Sequence, residues 1–277
     1  MAEPVGFYTD TTVCIGCKAC QVACHQWNNL PSGEGPQRSL PVLSGDSYDN
    51  TRSFSDVNWR HVKFIEQFSP DPNRKEAAWL MMSDVCKHCV NAPCLEVCPT
   101  GSIIRTEFDT VYIQEPVCNG CRDCVSACPF GVIHMSADPN KLVAQKCTFC
   151  YDRLQNNLTP ACAQACPTQS IRFGPLAKLK EQASARLNQL IGQGRTKARL
   201  YGADESVLGG LNAFYLLEDK PETYGLPSNP KLPSRLVPQS SLWSILTALL
   251  TALGVLFAFR DRTRVNPTQG ATPGGQA

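Results

Sequence analysis

The chain has 277 residues, 43% of them apolar, and a formal charge of +2. That length allows one large core or two smaller ones with appendages, and no nucleic-acid partner is expected. Sixteen cysteines are more than packing needs; a disulfide framework belongs to small secreted domains, and this chain is neither small nor visibly exported on its own.

Residues 1–13 hold no apolar signal core and no twin-arginine pair, so no export signal of its own is expected. The first cysteine run follows: Cys14, Cys17, Cys20 and Cys24, spaced C-x2-C-x2-C-x3-C. A gap then holds a Pro/Gly/Ser-rich stretch, Pro31 to Gly45, which reads as a connecting surface loop. Cys86, Cys89, Cys94 and Cys98 form the second run, and Cys118, Cys121, Cys124 and Cys128 the third. Between them Ile103-Ile104 and Val111-Tyr112-Ile113 read as a hairpin around a polar turn. Val132-Ile133-His134 follows the third run as a strand, and Ile171-Arg172-Phe173 follows the fourth run, Cys147, Cys150, Cys162 and Cys166. Leu179, Ala183, Leu187, Leu190 and Ile191 recur at helical spacing before Gly192, which predicts a packing helix. Pro221 to Pro238 is proline-rich and reads as an extended strap. No charge falls between Arg235 and Arg260, and Ser241 to Phe259 is long enough to span a hydrocarbon core of about 30 Å. Trp243 suits an interface, and Ser244, Ala248, Thr251 and Val255 share a face narrow enough for another helix to approach. Arg260, Arg262 and Arg264 outnumber Lys231 and Arg235, which places the C-terminus in the cytoplasm and the cysteine domain on the outer face. The tail from Val265 is Gly/Pro/Thr-rich and is expected to be disordered.

Each quartet has the spacing of a [4Fe-4S] site, in which four iron corners each take a soft thiolate. Pro99, Pro129 and Pro167 follow the last cysteine of three runs; His25 stands there in the first. Zinc accepts C-x2-C pairs but asks for neither a third cysteine two residues on nor a C-x3-C-P ending. Covalent haem fails for want of C-x-x-C-H. Four loaded clusters would take the chain to about −6. Lys18, Lys87, Arg122 and Lys146 lie in or beside the loops; they either offset that charge or are solvated surface cations. His25, His61, His88 and His134 are the four histidines, and none lies in the apolar span, so no transmembrane haem site is visible. His88 reads as a loop residue, not a ligand. With no dinucleotide fingerprint and no nucleophile–base pair, the chain reads as a non-catalytic electron carrier.

The second and third runs are close in sequence and flank one hairpin, which leaves the first run to pair with the fourth. The expected fold is α+β: two intertwined two-cluster ferredoxin-like units plus one C-terminal transmembrane helix. Residues 1–80 and 141–200 form the outer unit, 81–140 the inner unit, 201–240 the strap, 241–259 the span and 260–277 a cytoplasmic tail.

The four quartets in this order resemble the four-cluster subunits of molybdenum- or tungsten-pterin oxidoreductases. Three stretches narrow the resemblance: Thr12 to Cys24, Pro160 to Thr168, and Tyr224-Gly225-Leu226-Pro227 with Asn229-Pro230 before a single span. Together they are similar to the iron–sulfur (beta) subunit of respiratory membrane-bound formate dehydrogenase. The resemblance implies a ligand exchange. Cys14, Cys17, Cys20 and Cys166 would hold one cluster, and Cys147, Cys150, Cys162 and Cys24 a second. Cys86, Cys89, Cys94 and Cys128 would hold a third, and Cys118, Cys121, Cys124 and Cys98 a fourth. It also implies a formate-oxidising pterin-metal alpha subunit and a membrane cytochrome b gamma subunit as partners, in the lipid bilayer of the bacterial inner membrane, with the cluster domain on the periplasmic face. The same module serving a hydrogenase or a sulfur-compound or sulfoxide reductase is the alternative.

Overall fold

A computed structural model describes residues 3–31, 47–67, 78–235 and 237–264. The stretch expected as a surface loop lies outside these residues beyond Pro31, as does the tail from Val265. The chain divides into two compact units, one ending at Pro233 and one starting at Ser234.

In chain order the first unit holds β1 (Val5–Asp10), α1 (Ala19–Trp27), β2 (Arg60–Gln67), β3 (Ala78–Val85), α2 (Pro93–Glu96), β4 (Ile103–Arg105), β5 (Val111–Ile113), α3 (Asp123–Ala127), β6 (His134–Met135), β7 (Ala144–Gln145), α4 (Tyr151–Gln155), α5 (Ala161–Gln164), β8 (Ile171–Pro175), α6 (Leu176–Gly192), β9 (Arg199–Tyr201) and β10 (Ala213–Leu217). The main sheet runs β8-β1-β10-β9. β1 lies antiparallel to β8 and parallel to β10. Ala213-Phe214-Tyr215-Leu216-Leu217 is an unbroken apolar run, buried throughout, as a strand covered on both faces requires. α6 packs on β1 and β8 through Leu179, Ala183 and Leu190, while Ile191, expected on the same face, is exposed. β2 and β3 form a long hairpin across the gap between the first two cysteine runs.

The hairpin expected at residues 103–113 is present, with Ile103 opposite Ile113. The strand expected at Val132–His134 is not: β6 begins only at His134, and pairs with β7. Val132 and Ile133 are buried against a cysteine-lined void instead of pairing. The strap expected over residues 201–240 starts later than expected, because β10 lies within the sheet. Its Pro221–Tyr224 portion is a 3-10 turn that buries Tyr224, with Leu226 buried just after it. The Tyr201 hydroxyl donates to the Pro227 carbonyl at 2.6 Å and fastens the segment to β9.

The second unit contains α7 (Val237–Arg264). Within it Ser241–Arg260 is long and apolar enough to cross a membrane, and none of that stretch is buried. The Thr247 hydroxyl donates to the Trp243 and Ser244 carbonyls, and that of Thr251 to Thr247 and Ala248. Both hydroxyls are thus satisfied within the helix.

Candidate metal centres

The cysteine loops share one backbone device. The residue before the second cysteine of every run is left-handed: Gly16 at φ 65°, His88 at 43°, Gly120 at 75° and Phe149 at 61°. This reverses the chain's curvature and turns the loop round a centre. Lys18 and Arg122, at φ 61° and 71°, then start α1 and α3, which carry the third cysteine of their runs. Such backbone costs a non-glycine residue ~1–2 kcal/mol. Phe149 recovers some of this by stacking on Phe7 at 4.1 Å, with His88 edge-on at 4.7 Å.

After the last cysteine three runs also agree. Gly101, Gly131 and Gln169 are left-handed, and their N–H groups donate to the carbonyls of Cys98, Cys128 and Cys166. The intervening proline keeps the helix from continuing. The first run has His25 there, and α1 continues to Trp27. The Trp27 indole donates to Asp152 at 2.8 Å, and Arg153 lies over its ring at 4.1 Å. The missing proline therefore lets α1 reach α4.

These turns bring together cysteines far apart in sequence. One void is lined by Cys14, Cys17, Cys20 and Cys166. A second is lined by Cys86, Cys89, Cys94 and Cys128. A third is lined by Cys98, Cys118, Cys121 and Cys124. Cys24 lies within electrostatic reach of Cys147, Cys150 and Cys162, and of Arg60, where α1 packs on α5. The quartets also follow one another in space. Cys20 neighbours Cys162, Cys147 neighbours Cys86, and Cys94 neighbours Cys124. Sequence spacing could not give that order.

The donor set fits a polynuclear iron–sulfur group. All sixteen thiols are free. Among the described residues no three His, Cys, Asp or Glu side chains converge tightly enough to hold one metal ion. The cysteines rim voids instead, as a group with several metal corners requires. Burial pushes most of the thiols up, Cys20 and Cys124 to about 11 and Cys94, Cys147 and Cys150 to about 12. Burial also raises Cys98, but hydrogen bonds from Ser102, Ile103 and Thr100 outweigh it and bring that thiol down to about 7. Loading iron must therefore displace protons from most of the thiols.

The four loop cations separate into two kinds. Lys87 and Lys146 are buried; Lys18 is half-buried, with its ammonium on the Tyr48 carbonyl at 2.8 Å, and Arg122 is exposed. Lys87 pairs with buried Asp84, which also takes Lys63 at 2.8 Å and the Tyr215 hydroxyl at 3.0 Å. Lys87 and then Lys63 hold the Asp84 carboxyl well below the usual carboxylate range against its burial. His88 accepts from the Val111 N–H at 3.0 Å through Nδ1, which leaves that nitrogen no lone pair for a metal. Sequence reasoning missed Arg60, Ser83 and Asp84, which lie beside the cysteines. They sit on a strand pair whose pattern carries no motif.

Two family models, each described as a 4Fe-4S dicluster domain, match residues 13–102 and 77–176. The chain is 36% identical over 251 residues to the formate dehydrogenase-O iron-sulfur subunit of Escherichia coli (strain K12), covering 89% of this chain and 79% of that protein. It belongs to the family of formate dehydrogenase iron–sulfur subunits. A second member of that family, the formate dehydrogenase iron-sulfur subunit of Haemophilus influenzae, is 37% identical over 227 residues, 80% of this chain and 68% of that protein. The thiosulfate reductase electron transfer subunit of Salmonella typhi is 36% identical over 168 residues, 60% of this chain and 73% of that protein. Two dicluster matches and sixteen cysteines fit four [4Fe-4S] clusters, as in the formate dehydrogenase subunits. Subunits of this family belong to formate dehydrogenase complexes, which implies a catalytic subunit as partner.

Proposed function

We propose that this chain relays electrons from a formate-oxidising subunit, with molybdenum or tungsten bound to pterin, to a membrane cytochrome b subunit that reduces quinone. The observation that carries the relay is the sharing of each cysteine-lined site between two distant runs, with thiols of successive sites within electrostatic reach of one another. In this reading Cys14, Cys17, Cys20 and Cys166 hold the first cluster, and Cys147, Cys150, Cys162 and Cys24 the second. Cys86, Cys89, Cys94 and Cys128 hold the third, and Cys118, Cys121, Cys124 and Cys98 the fourth. A [4Fe-4S] group accepts and returns one electron at a time. The protein's part is to fix spacing, exclude water and set the local charge. Cys24, Cys98, Cys128 and Cys166 cross between runs, so the second and third runs make an inner ferredoxin-like unit and the first and fourth an outer one.

α7 anchors the subunit in the inner membrane by a single span, with its C-terminus in the cytoplasm and the cysteine domain on the periplasmic side. Its length and exposed apolar surface support this reading, as does the arginine excess after the span. The test is the purified membrane complex: molybdenum or tungsten, pterin and haem b co-purify, and formate drives reduction of a quinone analogue. A complex inert to formate but active with thiosulfate or hydrogen would assign the relay to the alternative, which the thiosulfate reductase relative supports.

A further inference from the structure

Arg60 begins β2 and is the largest fully buried side chain of the described residues, 1% exposed. A buried guanidinium without an anion costs several kcal/mol. Yet among the described residues Arg60 makes no ion pair with a carboxylate, unlike Lys87, which Asp84 neutralises. Its Nη1 donates to the Ser83 hydroxyl at 2.9 Å, and that hydroxyl lies 3.1 Å from the Cys20 sulfur. Phe7 covers its face at 5.2 Å. One end of the group is thus fixed, while Nε and Nη2 have no partner among the described residues and are buried. Within electrostatic reach of it lie Cys20 of the first site and Cys24, Cys147 and Cys162 of the second.

We propose that Arg60 is a positioning residue for electron transfer, whose free Nε–H and Nη2–H groups donate to sulfurs where the first and second cluster sites adjoin, and whose charge holds those two clusters at higher reduction potential. The inference rests on the ligand assignment given above. A cluster gains one negative charge on reduction, and a nearby cation and N–H donors favour that state. The loaded clusters are also the anions that a buried guanidinium needs. Arg60 therefore acts most on the first two members of the series, while Lys87 and Lys146 lie nearest thiols of the third. Lys87 shares the single Asp84 carboxylate with Lys63, and Lys146 keeps its charge while donating to the carbonyls of Val111 and Cys147.

The test is potentiometric titration of the full complex, with clusters resolved by electron paramagnetic resonance and assigned through single Cys→Ser variants. Arg60→Met should lower the reduced-to-oxidised ratio of the first and second clusters about tenfold at fixed potential, which is 59 mV for one electron. The third and fourth should move less than twofold. Arg60→Lys, which keeps the charge but not the planar donor set, should give less than half that shift. Ser83→Ala should shift the same pair in the same direction. Iron near sixteen atoms per chain with all four potentials unchanged in Arg60→Met overturns the proposal; so does an equal shift of all four. Should Arg60→Met fail to load iron, Arg60→Lys and Ser83→Ala carry the test, and unchanged potentials in both overturn it. A wild-type complex with fewer than four assignable clusters would instead count against the ligand assignment.

Discussion

The two halves of the cysteine domain solve the same local problem with very different support. The second and third runs are joined by two strands of three residues, and two strands of two residues follow the third. The first and fourth are backed by six- and five-residue strands of a four-stranded sheet and by a seventeen-residue helix. Isolated two-stranded hairpins are marginal in water. The inner half therefore leans on bound metal and on its seam with the outer sheet, where Ala213 donates to the Lys87 carbonyl and Val90 to that of Gly210. Cysteine loops of one design occur in both halves, but a packed sheet backs only the outer one.

Iron removal tests this contrast most severely. Amides of β4 to β7 should then exchange almost as in an unfolded chain, while those of β1, β8 and β10 keep protection of about 10³-fold, or ~4 kcal/mol. Equal loss across both halves, read by hydrogen exchange with mass spectrometry, would dissolve the comparison. Cys24→Ser should next remove about four irons per chain and the resonance of the cluster shared with Cys147, Cys150 and Cys162. Loss of the cluster of Cys14, Cys17 and Cys20 instead would show that the runs do not cross. His25→Pro should give the first run the ending of the other three and cut α1 short, at ~3 kcal/mol in denaturant titration. An unchanged midpoint would mean that the contact of Trp27 with Asp152 and Arg153 contributes nothing.

The equivalent glycines sharpen the contrast at smaller scale. A Cβ at Gly120 would meet the Leu142 carbonyl oxygen at 2.6 Å, which is backbone. One at Gly16 would meet the Phe64 ring at 2.6 Å and the Met81 sulfur at 2.7 Å, which are side chains able to move. Gly120→Ala should therefore cost ~2–3 kcal/mol and Gly16→Ala about 1 kcal/mol less, compared by thermal unfolding. Least of all, deletion of residues 241–277 should leave iron content unchanged, while releasing the chain from membranes in a flotation assay.

The cysteine spacings and the apolar span were legible because each is a local pattern with a chemical reason. Three-residue strands such as Ile103–Arg105 were legible for the same reason, with a polar turn between two apolar runs. What escaped was long-range pairing. Val5–Asp10 becomes a strand through Ala213–Leu217, some two hundred residues on, and through Ile171–Pro175. No short window contains that information. β2 and β3 were hidden because Arg60, His61, Lys63 and Asp84 interrupt the apolar pattern, and the burial of Arg60, His61 and Asp84 depends on partners elsewhere in the chain. The order of the four sites in space was likewise invisible, since it depends on which loop faces which.

The place of β1 between β8 and β10 bears on how the subunit is made. A ribosome releases this strand first, yet both of its neighbours come from the last hundred or so residues of the domain. The void of Cys86, Cys89, Cys94 and Cys128 can close once residue 128 has emerged, whereas that of Cys14, Cys17, Cys20 and Cys166 waits for the fourth run. During synthesis the earliest cysteines are thus the last to find their partner. Whatever delivers iron and sulfide meets an inner half ready to fill while the first run, with its exposed Cys17, is still an open loop in need of protection from oxidation.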